Sequence, residues 1–145
     1  MDALRSDDAE RIDLGTTKMR VLVSADLTDG MMSAIEILMP PGSASAPHIH
    51  QREDETFLVI EGTFTFRSGG RVERISAGGR LYLPRGSRHV FANEGHSPAR
   101  AITVLVPGGL ETFLRAAAGP DRPKDAGAAR ELERKHGLDF SPGDV

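Results

Sequence analysis

Pro47-His48-Ile49-His50-Gln51-Arg52-Glu53-Asp54-Glu55 carries two histidines one residue apart. Side chains of an extended chain alternate between faces, so His48 and His50 share a face only where the backbone between them is a strand. Pro40-Pro41-Gly42 before them and Gln51-Arg52-Glu53-Asp54 after them are loop-forming, and the second loop is able to return the chain so that Glu55 meets the same spot. Farther on, Pro84-Arg85-Gly86-Ser87-Arg88-His89 is a Pro/Gly turn that delivers a third histidine to the start of the apolar Val90-Phe91-Ala92. Three imidazoles and one carboxylate make a donor set of the kind that holds a divalent transition metal.

The spacing around these residues is regular. Gly42 is followed by five residues, His48, one residue, His50, four residues, Glu55, six residues and Gly62. Gly78 is followed by five residues, Pro84, one residue, Gly86, two residues, His89, three residues and Asn93. These ten positions match the two sequence motifs of the cupin superfamily, which the chain resembles over roughly residues 17–107. The resemblance implies an all-β fold, a single jelly-roll β-barrel, with His48, His50, Glu55 and His89 as ligands of one divalent transition metal.

Imidazole and carboxylate suit Fe, Mn, Ni, Cu or Zn, so the metal stays open. A six-coordinate ion would keep two positions for water, dioxygen or substrate, whereas tetrahedral zinc would be full unless Glu55 loosens. Binding requires unprotonated imidazoles, which predicts metal loss as pH falls through about 6.

The 145 residues suffice for one core. A net charge of -3 gives no electrostatic reason to expect nucleic acid or an anionic membrane as partner. The chain has no cysteine, which excludes a disulfide framework and a thiolate nucleophile. No apolar run is long enough to span a bilayer, and Met1 to Asp8 lacks the apolar core of a signal peptide, so a cytoplasmic location is expected. The 16 glycines and 9 prolines, with turn signals every ten or so residues, favour an all-β domain.

Residues 1–16 are read as an arm, loosely held or adding a strand to a neighbouring subunit, with Leu4, Ile12 and Leu14 as its anchors. Residues 17–107 form the barrel. Alternation turns Glu55, Phe57 and Val59 inward and Thr56, Leu58 and Ile60 outward, and because this second face is also apolar a homodimer is expected. Residues 108–145 form a tail of two short C-terminal α-helices on the outside of the barrel. The first runs from Leu110 to Ala118 and stops at Gly119-Pro120; the second runs from Ala126 to His136, between an Asp125 cap and Gly137.

Ile37, Met39, Phe57, Val59, Tyr82, Phe91 and Val104 are the candidates to line a substrate pocket, with ordinary barrel core as the competing role. Glu53 and Asp54 read as solvated loop charges, His96 as a loop histidine and His136 as a helix C-terminal residue. Arg85 and Arg88 flank the ligand turn and read as exposed, with contact to an anionic substrate as their other role.

Within the superfamily, Pro47 to Gly62 and the His136-Gly137-Leu138-Asp139-Phe140 ending are most similar to small bacterial cupins related to flavonol (quercetin-type) dioxygenases. That resemblance implies a metal-dependent dioxygenase acting on a small aromatic or enol substrate, flavonol- or polyketide-like. Glu55 would stay a ligand or swing away as the catalytic base. Single-domain cupins are also similar to oxygen-independent isomerases, epimerases and aromatic polyketide cyclases, and a non-catalytic binding module uses the same fold.

Overall fold

Along Ala99–Val106, Ala99, Ala101, Thr103 and Leu105 are buried while Arg100, Ile102, Val104 and Val106 are more open, the two-residue period of a strand with one face in a core. The same period writes most of the chain. The computed structural model describes residues 3–145. Its strands are β1 (Glu10–Leu14), β2 (Thr17–Val23), β3 (Ser33–Met39), β4 (Ser43–Ala44), β5 (His48–His50), β6 (Asp54–Glu61), β7 (Thr63–Ser68), β8 (Arg71–Ser76), β9 (Arg80–Leu83), β10 (Arg88–Asn93) and β11 (Ala99–Val106). Helices α1 (Leu110–Ala118) and α2 (Ala126–His136) and the short β12 (Leu138–Asp139) complete it.

The strands form two antiparallel sheets, β1-β2-β3-β11-β6-β9 and β12-β5-β10-β7-β8, with β4 also on β10. This is the expected jelly roll, mostly β with two C-terminal helices. The corner between β6 and β7 is glycine by necessity. Gly62 has φ +70°, and a Cβ there would lie 2.8 Å from the Pro98 carbonyl oxygen.

Two apolar clusters fill the space between the sheets. One joins Ile37, Met39, Phe57, Val59, Phe64, Phe66 and Phe91, with the Phe57 ring 4.9 Å from Phe66 and 5.3 Å from Phe91. Each such buried ring contributes about 1.5–3 kcal/mol of transfer free energy. The other joins Ile12, Val21, Ile35 and Leu105 to Leu110, Phe113 and Leu114 of α1. Helix α1 is therefore not packed on the outside of the barrel as expected; its apolar stripe meets inward-facing strand residues. Its first turn is tied down by buried Glu111, which accepts from the Ala25 N–H at 2.6 Å and the Ser33 hydroxyl at 2.7 Å.

Glu10–Leu14, read from sequence as part of the arm, pairs instead with β2 of its own chain, and Ile12 is buried. Arg115 of α1 secures it through Glu10 at 2.7 Å. Residues 1 and 2 of that arm lie outside the described residues. On the outer face of β6, Leu58 and Ile60 are 37% and 42% exposed, so that apolar face is left partly open within the single chain.

Helix α2 ends as anticipated. The Asp125 carboxylate accepts from the Ala128 N–H, and Gly137 adopts the left-handed C-cap conformation at φ 70°. That cap turns the chain so that Leu138 and Asp139 pair with His50 and Ile49 of β5. Among the described residues no helix is long and apolar enough to cross a membrane.

Candidate metal centre

Three strands bring the site together: β5 carries His48 and His50, β10 carries His89 and β6 carries Glu55. On antiparallel β5 and β10, His48 and His89 are directly opposed, which sets their rings 4.3 Å apart. His50 is two residues from His48 on the same face, with its ring 5.0 Å away. Glu55 projects from β6 in the other sheet. One donor atom from each of His48, His50, Glu55 and His89 can be chosen so that all lie within 4.8 Å of one another. Metal–donor bonds of about 2.0–2.2 Å allow donor separations up to about 4.4 Å, so the cluster needs a contraction of only a few tenths of an ångström to share one ion.

The ring orientations are set from behind. The Nδ1 of His48 lies 2.8 Å from the Ala46 carbonyl oxygen, that of His89 lies 3.0 Å from the Ser87 carbonyl oxygen, and that of His50 lies 3.4 Å from the Glu53 carboxylate. Each Nδ1 is thus engaged, leaving the Nε2 atoms for the site. The Nε2 atoms of His50 and His89 lie 3.5 Å and 3.2 Å from Glu55 Oε2. Close as it is, the His89 approach does not meet hydrogen-bond geometry. Glu55 Oε2 and His89 Nε2 are buried without a hydrogen-bond partner. Two orphaned buried atoms, both good metal donors and facing each other, are what a bound cation would satisfy, so these residues fit a divalent ion.

The electrostatics agree with an anionic carboxylate among imidazoles. Burial works against the charged form of Glu55, but the surrounding histidines, His50 foremost, outweigh it and hold the carboxyl at about 2. Burial lowers His48 to about 3, with the charges of His89 and His50 adding to the effect. His50 is also opposed by burial, yet the charges and hydrogen bonding of Glu55 and Glu53 raise it above the ordinary imidazole value. At neutral pH His48 is a neutral donor and Glu55 a charged one.

A cavity of about 250 Å³ opens beside the donors, with His48, His50 and Glu55 in its wall and the buried His89 outside its lining. Thr103 closes it near the carboxylate, its hydroxyl 3.4 Å from Glu55 Oε1. Phe113 of α1 and Phe140 beyond β12 form the far wall. The Phe140 ring stacks on His48 at 5.3 Å and 17° and on Phe113 at 6.0 Å and 21°. The described lining includes no lysine or arginine.

Two sheets, a motif-spaced donor set and a buried site between them point to one family, and residues 35–105 match the model of the cupin domain. The chain belongs to the cupin superfamily. This cupin is 28% identical over 117 residues to the "Quercetin 2,3-dioxygenase" of Bacillus subtilis (strain 168), a match covering 81% of the chain and 34% of that protein. It is 32% identical over 84 residues to the "Tetracenomycin polyketide synthase protein TcmJ" of Streptomyces glaucescens, covering 58% of the chain and 55% of that protein. The chain thus spans about a third and about half of the lengths of these two relatives. Its fold is similar to that of KdgF from Halomonas sp., with a TM-score of 0.68 at 17% identity, over 77% of this chain and 98% of that one.

Of the pocket candidates, Ile37 and Phe91 line the cupin cavity. Met39, Phe57 and Val59 lie in the core cluster instead. Tyr82 is 59% exposed on β9, and Val104 lies on the outward face of β11, so neither reaches the cavity. Asp54 and Arg85 are paired at 3.0 Å, and Arg88 is engaged by Asp139 at 3.3 Å and the Ser141 carbonyl at 2.6 Å. Neither arginine is among the residues that line the cavity. His96 is exposed, and Asn93 of the second motif organises its turn, donating to the carbonyls of Met39 and Ser97.

Sequence reasoning missed Phe113, Leu138 and Phe140 in the cavity wall, and it missed Glu53. Glu53 is not a solvated charge; it is 5% exposed, behind His50. Glu53 lies in the loop before β6, where the strand period gives no signal for it.

Proposed function

We propose that this cupin is a metal-dependent enzyme, a dioxygenase acting on a small aromatic or enol substrate chelated at the His48, His50, Glu55 and His89 site. The observation that carries the proposal is a buried three-histidine, one-carboxylate cluster beside a largely apolar cavity whose described lining has no lysine or arginine. A phosphate or dicarboxylate would find no lysine or arginine in the described lining, whereas a flat molecule with adjacent oxygens would match both the donors and the Phe113–Phe140 wall. The dioxygenase relative supports the same chemistry. A divalent ion held by these donors would supply Lewis-acid activation, lowering the pKa of a bound enol or water.

Around it, the chain's own groups have defined tasks. Glu55, held at about 2, is a ligand at neutral pH and a weak base in that position; proton abstraction requires it to leave the histidines that depress its pKa. The Thr103 hydroxyl beside Oε1 stabilises the carboxylate. Phe140, stacked on His48, keeps bulk water from that side of the site.

The same site is suited to oxygen-independent proton transfer, as in an isomerase or polyketide cyclase, and the polyketide synthase relative favours keeping that second reading. Metal analysis followed by oxygen uptake with a flavonol, aerobically and anaerobically, separates them. Oxygen consumption coupled to substrate loss supports the dioxygenase; turnover under strict anaerobiosis overturns it in favour of the second reading.

A further inference from the structure

Glu53 is the one carboxylate that meets a site histidine from behind, among the described residues. His48 and His89 rest their Nδ1 atoms on the neutral carbonyls of Ala46 and Ser87, at 2.8 Å and 3.0 Å. His50 faces an acid at 3.4 Å, in a residue only 5% exposed. A buried carboxylate is costly unless it is paired, and the Glu53 Oε2 contact to His50 Nδ1 is the hydrogen bond that this side chain makes. Neither carbonyl contact has that property, because a carbonyl is present at every residue and carries no net charge.

Resting on the metal-site reading above, we propose that Glu53 is a positioning residue for that site, acting through His50. Its carboxylate fixes the Nδ1–H tautomer of His50, aims Nε2 toward Glu55 and the ion, and makes this imidazole a stronger donor than the other two. The three nitrogen donors are therefore inequivalent. His50 is the strongest ligand, and the site loses most when its support is removed.

Co(II) binding to the full chain, followed by competition with a chelator and by the visible ligand-field spectrum, tests this. Glu53→Ala is expected to weaken Co(II) binding by about 10- to 100-fold and to shift the spectrum. Glu53→Gln, whose amide oxygen still accepts from Nδ1–H, is expected to restore most of the affinity but not the full spectrum. Melting of the metal-free variants identifies any simple folding defect, which would lower stability without altering the Co(II) spectrum of the loaded protein. Wild-type affinity and spectrum in Glu53→Ala would overturn the positioning role while leaving the metal site standing. Failure of the wild-type chain to bind Co(II) would overturn the metal site itself, and this inference with it.

Discussion

Glu55 on one sheet and His89 on the other face each other across the barrel, Oε2 and Nε2 being 3.2 Å apart and neither hydrogen-bonded. Each unsatisfied buried group costs about 1–3 kcal/mol. The chain tolerates this cost where a cation would convert both atoms into donors, which is why the site reads as built for an ion rather than as ordinary core.

His48→Ala, His50→Ala and His89→Ala are each expected to abolish tight metal binding, because each removes one of three nitrogen donors. Glu55→Gln is expected to keep partial metal and lose most activity. His96→Ala, at an exposed loop position, is expected to leave metal content unchanged. Elemental analysis of chelator-free preparations checks all five; an emptied site in His96→Ala would mean that the donor set is incomplete.

Because three donors come from the β5–β10 sheet and one from β6, an ion would tie the two sheets together. Loading at a free-metal concentration of about a thousand times Kd is expected to stabilise the fold by about 4 kcal/mol. For a chain of this size that is a rise of about 8–16 °C in melting temperature. Thermal unfolding with and without chelator reads it, and equal midpoints would argue against an ion held by both sheets.

Acid should weaken the metal-free fold before it protonates Glu55. The folded pKa of His48 is lowered to about 3, so between that value and 6.5 the unfolded chain binds more protons and stability falls as pH falls. The slope approaches about 1.4 kcal/mol per pH unit within that window. Glu55 adds its own loss only lower, as pH drops from 4.5 toward about 2. The raised His50 has the opposite sense, contributing stability that is lost as pH rises through its folded pKa. Denaturant unfolding of chelated protein from pH 7 to pH 4, in wild type and His48→Ala, measures the first effect; a variant as acid-sensitive as wild type would refute the assignment to His48.

Phe140→Ala removes the ring stacked on His48 and Phe113. An aromatic ligand is expected to bind about 2- to 10-fold more weakly, the value of one aromatic contact of about 0.5–1.5 kcal/mol, with metal content unchanged. Calorimetric titration of a flavonol into the loaded variant tests it. Undiminished affinity would show that the tail is not a wall of the ligand site.

The local signals of the sequence were sufficient for the barrel strands, the motif-spaced donors and both helices, but not for β1, read as an arm, or β12. Alternation placed His48 with His50 and Phe57 with Glu55; the Asp125 and Gly137 caps bounded α2. Each depends on residues a few positions apart, where backbone geometry alone decides which side chains share a face. What surrounds the donors was decided only by tertiary packing. Phe113 and Phe140 reach the cavity from far along the chain, because α1 packs on inward-facing strand residues and the Gly137 turn returns the tail onto β5. Val104 and Thr103 show the limit most clearly. Alternation separates the two faces of β11, but its outward face is also apolar, so only the packed sheets decide that Thr103 meets Glu55 and Val104 meets the outside.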